Sequence, residues 1–301
     1  MTDLILALDQ GTTSSRSILF TEKAEIRAVA SEPLECRYPD SGWVEQDAEA
    51  IWETQRSTIV KVLDQAGIGL SEVSAIGITN QRESTIAWNR ETGEALCPAI
   101  NWQCRRTAGF CDELKEEGFD ELIRNRTGLV TDPYFSGTKM HWILQNVPEA
   151  ANLARQGKLC FGTVDSWLIW KLSGGTTHAI EISNASRTLV FDIQKCEWDS
   201  EILSRFGIPP ESLPEVVPSS GVIAEVDESL FGGSAPIAGA AGDQQAALFG
   251  QACFSPGMAK NTYGTGCFMI SNTGKHLVRS QNGLLTTCLL YTSDAADDRY
   301  R

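Results

Sequence analysis

The chain has 301 residues, of which 42% are hydrophobic and 21% are charged, and its formal net charge is −14. This length can bury a substantial core and predicts one large domain or two ordinary ones. The acidic balance argues against non-specific nucleic-acid binding, which needs a basic surface, and no apolar run reaches the roughly 18 residues of a membrane span.

The nine cysteines form no C-x-x-C pair, and their number is odd. The N-terminus lacks the basic region and cleavage pattern of a secretory signal, so we expect reduced thiols and a cytoplasmic protein. Cys97, Cys104 and Cys111 are spaced by seven, but Pro98 would interrupt a helix there. Small buried side chains are therefore favoured over metal ligands.

Apolar patterning predicts strands alternating with helices, which indicates an α/β domain. Asp47 is a predicted N-cap for a helix that continues through Gln65, and Gly67 is its predicted stop. Four proline positions from 209 to 218 suggest a linker-like stretch. The other predicted helices span 105–117, 137–146, 165–172, 198–206 and 246–252. The predicted strands span 4–8, 17–20, 73–79, 85–89 and 237–240.

One pattern occurs twice: an apolar run, a Gly-Thr turn and a second apolar run, at residues 4–20 and again at 258–271. Each copy predicts a β-hairpin. Glycine lets the backbone approach a ligand closely, and clustered N–H groups bind anions. Two such turns in two halves of the chain predict a cleft that holds a nucleotide from both sides. Two ordinary hairpins are the alternative.

Phosphate binding, if present, uses neither a P-loop nor a dinucleotide fingerprint, because neither motif occurs. Asp9 ends a predicted strand directly before the first turn, which suits Mg²⁺ held through water. Arg16 would add positive charge beside a transferring phosphoryl group. A strand-terminal aspartate is more often a capping residue, and that alternative stays open.

Asp243 is the second acidic candidate, between small residues and a predicted helix. It is either an N-cap or a general base that takes a proton from a substrate hydroxyl. Arg82 and Glu83 follow a predicted strand and together offer donors and an acceptor to a small polyol, or form a surface ion pair. Trp102 and Tyr134 could wall such a pocket or belong to the core.

Ten segments between residues 4 and 287 together resemble the FGGY carbohydrate kinase family of the actin-like ATPase superfamily. The N-Q-R-E, D-P-Y-F and G-D-Q-Q portions resemble its glycerol-specific branch. The segments are D-Q-G-T-T-S-S-R (9–16), G-W-V-E-Q-D (42–47), T-N-Q-R-E (79–83), N-W-Q-C-R-R-T (101–107), D-P-Y-F-S-G-T-K (132–139), F-G-T-V-D-S-W-L-I-W-K-L (161–172), N-A-S-R-T (184–188), A-G-D-Q-Q-A-A-L-F-G-Q (241–251), K-N-T-Y-G-T-G-C-F (260–268) and N-G-L-L-T-T (282–287).

The resemblance implies an ATP:glycerol 3-phosphotransferase that uses Mg²⁺ and makes sn-glycerol 3-phosphate, with Asp243 as base and Asp9 supporting the metal. The implied nucleotide ligands are Thr12, Thr13, Ser14, Arg16 and Thr265. The implied glycerol ligands are Arg82, Glu83, Tyr134, Asp243 and Gln244, with Trp102 and Phe268 lining the apolar side. Domain closure over the substrates would limit wasteful ATP hydrolysis.

The implied fold is a ribonuclease H-like (actin-like ATPase) domain at 1–252, with only the start of a second similar domain at 253–287. Family members continue well beyond this point, whereas residues 288–301 look like translated adapter or vector sequence; a real, frayed C-terminus is the alternative. We therefore expect the chain to be an incomplete record of a longer enzyme, and to be inactive or very weak by itself.

Further expectations concern assembly and regulation. The resemblance implies a dimer or tetramer. Relatives regulated by fructose 1,6-bisphosphate carry an arginine in a Gly-Gly-Thr-Arg loop, whereas residues 232–236 read G-G-S-A-P, so that regulation is not predicted. The alternatives to a glycerol-phosphorylating enzyme are a sister kinase for another polyol or sugar, and a non-catalytic glycerol-binding fragment.

Overall fold

The structure is a computed structural model that describes residues 3–264, 266–275 and 277–290. In this part of the chain the strands are β1 (Leu4–Gln10), β2 (Ser14–Thr21), β3 (Ile26–Pro33), β4 (Glu45–Gln46), β5 (Ala75–Asn80), β6 (Ile86–Asn89), β7 (Ala99–Ile100), β8 (Leu159–Gly162), β9 (Ala179–Glu181), β10 (Phe191–Asp192), β11 (Glu197–Trp198), β12 (Glu215–Val217), β13 (Ser220–Glu225), β14 (Pro236–Gly242), β15 (Ala259–Tyr263) and β16 (Cys267–Ser271). The α-helices are α1 (Ala48–Ala66), α2 (Ala108–Glu116), α3 (Asp120–Thr127), α4 (Ser136–Asn146), α5 (Pro148–Arg155), α6 (Val164–Leu172), α7 (Ile182–Ala185), α8 (Ser200–Phe206), α9 (Glu228–Phe231) and α10 (Asp243–Gly250).

A six-stranded mixed sheet in the order β13-β14-β5-β1-β2-β3 forms the centre of the fold. β1, β2 and β3 are consecutive antiparallel strands, whereas β5 and β14 run parallel to β1. Alternate residues of β1 are buried, as the period of two in a strand requires. The α/β expectation is therefore confirmed.

Helix α1 covers one face of this sheet and begins and ends at the predicted residues. Asp47 Oδ1 accepts hydrogen bonds from the amides of Glu49 (3.0 Å) and Ala50 (3.2 Å). Gly67 ends the helix at φ +67°, in the left-handed region that glycine enters without strain. The buried stripe of α1 packs on β2 and β3.

Two large clusters of buried apolar side chains form the core. One joins the sheet to α1 and α6 and includes Trp88 and Trp167, whose ring centroids are 5.3 Å apart. The other packs α2, α4 and α8 together.

Two sequence expectations are wrong. The proline stretch is not a linker, because Pro210–Ser212 form a 3₁₀ turn and β12 pairs in parallel with β9 inside the domain. The last predicted helix begins at Asp243 rather than at residue 246. Neither error concerns an apolar stripe. In both cases a tertiary contact, rather than the local composition, determines the local structure.

Residues after α10 form the second predicted hairpin and a returning segment. β15 and β16 pair antiparallel, with Ala259 opposite Ser271, and pack against α10. The segment 277–290 then crosses the first domain, where the Thr286 amide donates to the Gly128 carbonyl (3.0 Å). No helix in the described ranges has the length and apolar composition needed to cross a membrane.

A buried carboxylate, Glu181, is connected to the end of β14 through hydrogen bonds. Its oxygens accept hydrogen bonds from the hydroxyls of Ser183 and Ser219, both at 2.5 Å. Ser183 Oγ in turn accepts from the Gly242 amide at 2.9 Å. Burial raises the pKa of Glu181 to about 7 and that of neighbouring Asp165 to about 6.

We predict that the stability difference between wild type and Glu181→Gln depends on pH. The raised pKa means that the native state binds a proton that the unfolded state has already released, so Glu181 contributes stability below its unfolded pKa. That contribution disappears as pH rises to about 7. Thermal unfolding from pH 5 to 8 should therefore show Glu181→Gln gaining stability relative to wild type. The exposed Glu53→Gln is the matched control, and a Glu181→Gln difference that stays constant with pH would contradict the assignment.

Candidate active site

Three neighbouring parallel strands end together at one edge of the sheet. Gln10 of β1 lies opposite Asn80 of β5, and Asn80 lies opposite Gly242 of β14. Loops at the carboxyl ends of parallel strands commonly carry ligand-binding groups. This register brings together Asp9, Arg82 and Asp243, which are far apart in the sequence.

Arg82 is a buried cation at the centre of this edge. Its side chain is 4% exposed, and its Nε lies 3.1 Å from Asp243 Oδ1. Its Nη1 also donates to Gln245 Oε1 at 3.3 Å. Gly242 makes room for the stem, because an added Cβ there would lie 2.5 Å from Arg82 Cδ. Arg82 and Asp243 therefore form an ion pair that spans two strand ends.

Asp243 is the first residue of α10, and the N-cap position belongs to Gly242. Its Oδ1 accepts from the Gln244 amide at 2.7 Å, and its Oδ2 from Gln244 Nε2 at 3.3 Å. Burial raises the pKa of Asp243; the Arg82 charge opposes this rise and the Glu83 charge adds to it. The result is a 37% exposed carboxylate that is more basic than an ordinary aspartate.

Gln244 connects this aspartate to the second hairpin. Its side chain is buried, and its Oε1 accepts a hydrogen bond from Lys260 Nζ of β15. Lys260 Nζ also donates to Thr262 Oγ1 at 2.6 Å. The predicted glycerol ligand Gln244 is therefore held on both sides, by Asp243 and by the hairpin.

Glu83 pairs with a residue that the sequence analysis did not single out. Its Oε1 accepts from Arg187 Nε at 2.7 Å, and the two side chains are 1% and 7% exposed. Arg82 and Glu83 are thus neither a pair with each other nor a surface pair; each has its own buried partner. Glu83 adopts φ +64°, a left-handed conformation that strains a non-glycine residue.

Aromatic rings form one wall beside these charges. Trp102 lies 5.6 Å from Tyr134 and 6.3 Å from Phe268 between ring centroids, both edge-on. Arg82 Cζ lies 5.7 Å from the centre of the Phe268 ring. Burial raises the pKa of Tyr134, so its hydroxyl stays protonated. The structure thus places all the predicted glycerol-side residues at one location.

The first Gly-Thr turn is tied to this aromatic wall. The Gly11 amide donates to the Ser14 carbonyl at 2.9 Å and closes the turn. Thr12 Oγ1 accepts from Trp102 Nε1 at 3.0 Å and donates to Gln81 Oε1 at 3.4 Å. The Thr12 hydroxyl therefore orients Trp102. Thr13 is exposed and Ser14 partly buried, while Thr265, the predicted counterpart in the second turn, lies outside the described residues.

Asp9 lies opposite Arg16 in the first hairpin and close to Asp243. Burial raises the pKa of Asp9; Arg16 lowers it and the negative charge of Asp243 raises it further. Two carboxylates that repel each other across a partly buried site favour a cation between them, and carboxylate oxygens suit Mg²⁺. The donor chemistry therefore fits a magnesium ion, although the described residues contain no cluster of three or more acidic, histidine or cysteine groups placed for a metal.

A network of buried amide side chains beneath the turn was missed by the sequence analysis. Gln81 Nε2 donates to Gln46 Oε1 (2.9 Å) and to the Gly11 carbonyl (3.2 Å). Gln46 Nε2 donates to the Thr12 carbonyl at 2.8 Å, and Asn101 Nδ2 donates to Gln46 Oε1 at 2.8 Å. Their positions in the sequence could have indicated this network, because Gln81 and Asn101 directly precede the candidate residues Arg82 and Trp102.

A mixed sheet of this order, with acidic residues at its strand ends and a turn between β1 and β2, defines a domain of the actin-like ATPase class. The chain belongs to the FGGY family of carbohydrate kinases, because residues 4–250 match the N-terminal domain of that family. Both the expected family and the expected ribonuclease H-like fold are confirmed.

Individual relatives agree with this assignment. The chain is 57% identical over 284 residues to a glycerol kinase of Carboxydothermus hydrogenoformans, covering 94% of this chain and 57% of the relative. It is 54% identical over 297 residues to glycerol kinase 1 of Clostridium tetani, covering 99% and 60%. Among solved structures, Plasmodium falciparum glycerol kinase with ADP superimposes with a TM-score of 0.90 at 34% identity, covering 96% and 58%. The chain thus spans less than two thirds of the length of these relatives.

We predict that Gly242→Ala displaces Arg82. The new methyl group would meet Arg82 Cδ and Cγ at 2.5 and 2.8 Å, and overpacking of this kind costs about 1–3 kcal/mol. Chemical denaturation should show that loss, and a crystal structure should show a lengthened Arg82–Asp243 pair.

The matched control for this variant is Gly109→Ala in α2, where an added Cβ meets nothing within 4 Å. It should leave the free energy of unfolding unchanged or slightly higher. A Gly242→Ala protein as stable as wild type, with Arg82 unmoved, would show that the close approach of Gly242 to Arg82 does not determine the position of Arg82.

Proposed function

We propose that the full-length protein carrying this chain transfers the γ-phosphoryl group of ATP to glycerol, giving ADP and sn-glycerol 3-phosphate. The observation that carries this proposal is that an aspartate with a raised pKa, a buried arginine and an aromatic wall lie together at the ends of β1, β5 and β14. The names of the relatives at 54–57% identity support glycerol as the acceptor.

Acceptor binding follows from the pairing of donors and acceptors. A glycerol hydroxyl both donates and accepts a hydrogen bond, so it needs groups of both kinds. Arg82 supplies N–H donors, Glu83 a carboxylate and Tyr134 a neutral hydroxyl. The Trp102 and Phe268 rings offer carbon surface to the glycerol backbone. A small polyol could therefore contact each of these polar groups and both rings.

Proton removal would fall to Asp243. As the acceptor hydroxyl attacks phosphorus, its proton would pass to a carboxylate oxygen of Asp243, which neighbouring Arg82 keeps oriented. Arg16 and the turn of residues 11–14 would face the phosphates, with Thr265 contacting the nucleotide from the second turn. Asp9 would hold Mg²⁺ through water, and the ion would offset charge on the phosphoryl oxygens.

Domain organisation, location and assembly belong to the same proposal. Residues 1–252 would form the glycerol-side domain, 253–287 the beginning of a second domain, and 288–301 an extraneous tail. The glycerol ligands other than Phe268 lie within residues 82–244. We further propose a cytoplasmic enzyme that assembles as a dimer or tetramer.

Asp243→Asn in the full-length protein should lower kcat for glycerol phosphorylation by about 10²–10⁴-fold, the usual contribution of a general base. The fold should remain intact, because Asn keeps the size and can still accept from the Gln244 amide. Steady-state kinetics at saturating ATP and glycerol measure the effect.

Asp227→Asn is the control for this substitution. Asp227 is the partly buried N-cap of α9, its carboxylate accepts from the Ser229 amide, and Asn caps helices equally well. It should leave kcat unchanged. Wild-type turnover by Asp243→Asn would remove Asp243 as the base, and a panel in which xylulose or erythritol outperforms glycerol would change the assigned acceptor.

The acidic limb of the pH profile should report the raised pKa of Asp243. A base must be deprotonated, so kcat/KM for glycerol should fall as pH decreases through this pKa. Because burial raises that pKa, the fall should begin at a higher pH than for an ordinary aspartate. The residual activity of Asp243→Asn should lack this limb, whereas an identical limb in both proteins would assign it to another group.

A further inference from the structure

Lys139, in the second turn of α4, is a fully buried lysine with no role in the proposed reaction. Its side chain is 0% exposed. Within the described residues, no carboxylate oxygen lies within 4.0 Å of its Nζ. Burial lowers its pKa to about 7. A buried cation without a paired anion is costly, and an apolar side chain of similar volume would fill the same space more favourably.

The contacts of Nζ show what this lysine does instead. It donates to the backbone carbonyls of Tyr134 (2.5 Å), Phe135 (3.1 Å) and Glu83 (3.3 Å). Two of these carbonyls belong to proposed glycerol ligands. They lie on separate segments, one after β5 and one before α4, so a single ammonium group links the two sides of the acceptor pocket.

The Glu83 carbonyl is the more informative of these acceptors. Glu83 adopts φ +64°, and a strained residue keeps such a conformation only when its surroundings hold it. Its carbonyl accepts three side-chain hydrogen bonds, from Lys139 Nζ, from Ser136 Oγ at 3.1 Å and from Thr85 Oγ1 at 3.2 Å. The same conformation directs its carboxylate to Arg187.

We propose that Lys139 is a positioning residue that fixes the backbone at Glu83 and Tyr134, and thereby sets the geometry of the polyol-binding pocket. This inference rests on the proposed function for its kinetic consequence. Its structural consequence, the left-handed conformation of Glu83, is independent of which substrate is used. Lys139 acts through its neighbours and does not touch the acceptor.

The test compares Lys139→Met and Ser136→Ala with wild type in the full-length protein. Lys139→Met keeps the length of the side chain but donates nothing, so KM for glycerol should rise by about tenfold or more, since small misplacements of binding groups have large effects. Ser136→Ala removes one donor to the Glu83 carbonyl and leaves Lys139 and Thr85 in place, so it should raise KM for glycerol by less. KM for ATP should stay within about twofold in both.

Met140→Ala is the control for lost core packing. Met140 is the next residue of α4, is 1% exposed and belongs to the apolar cluster that packs α2, α4 and α8 together. It should lower Tm without raising KM for glycerol. If Lys139→Met alters KM for ATP and glycerol equally, or if Met140→Ala raises KM for glycerol as much, Lys139 is merely structural.

If the wild-type protein does not phosphorylate glycerol, that result overturns the proposed function but not the role of Lys139. Crystal structures of the variants then test the role of Lys139 by themselves. Glu83 should leave the left-handed region, or its carbonyl should rotate, in Lys139→Met. If that variant does not fold, Ser136→Ala should show a partial shift. An unchanged Glu83 conformation and Tyr134 position in the variant that folds would overturn the role of Lys139.

Discussion

The parallel register of β1, β5 and β14 is the constraint on which the site depends. One hydrogen-bonded row aligns Gln10, Asn80 and Gly242, and each strand sends its following loop over the same edge. A slip of one residue would turn every side chain of a strand to the opposite face. The buried Leu side chains of β1 therefore secure the site as well as the core. The geometry of the candidate site and the folding stability are therefore linked through the same sheet.

Burial gives the charged groups at this edge their chemistry. Arg82 and Arg187 are buried cations, and each is matched to a carboxylate, Asp243 or Glu83. Desolvation raises the pKa of Asp243 while Arg82 opposes it, so the aspartate stays ionisable but becomes more basic. A fully exposed aspartate would be a weaker base, and one without a cationic neighbour would have a still higher pKa. The pairing thus suits proton abstraction from a hydroxyl.

Local sequence rules predicted the parts of the fold that local forces determine. The period of two in β1, the Asp47 cap and the Gly67 stop all describe their elements correctly, and both hairpins are present. The partner of Glu83 was not predictable in this way, because Arg187 lies 104 residues away. The amide network beneath the turn was missed for the same reason: its hydrogen bonds join residues that only the folded sheet brings together.

The proposed acceptor and nucleotide sides of the site are physically connected. Trp102 packs against Tyr134 on the proposed acceptor side, and its indole N–H donates to Thr12 in the turn proposed to face the phosphates. Gln81, directly before Arg82, holds the Gly11 carbonyl of the same turn. A shift of the turn on nucleotide binding would therefore move Trp102 and strain the contacts next to Arg82. In the proposed enzyme, these contacts would connect an occupied phosphate site to the acceptor pocket.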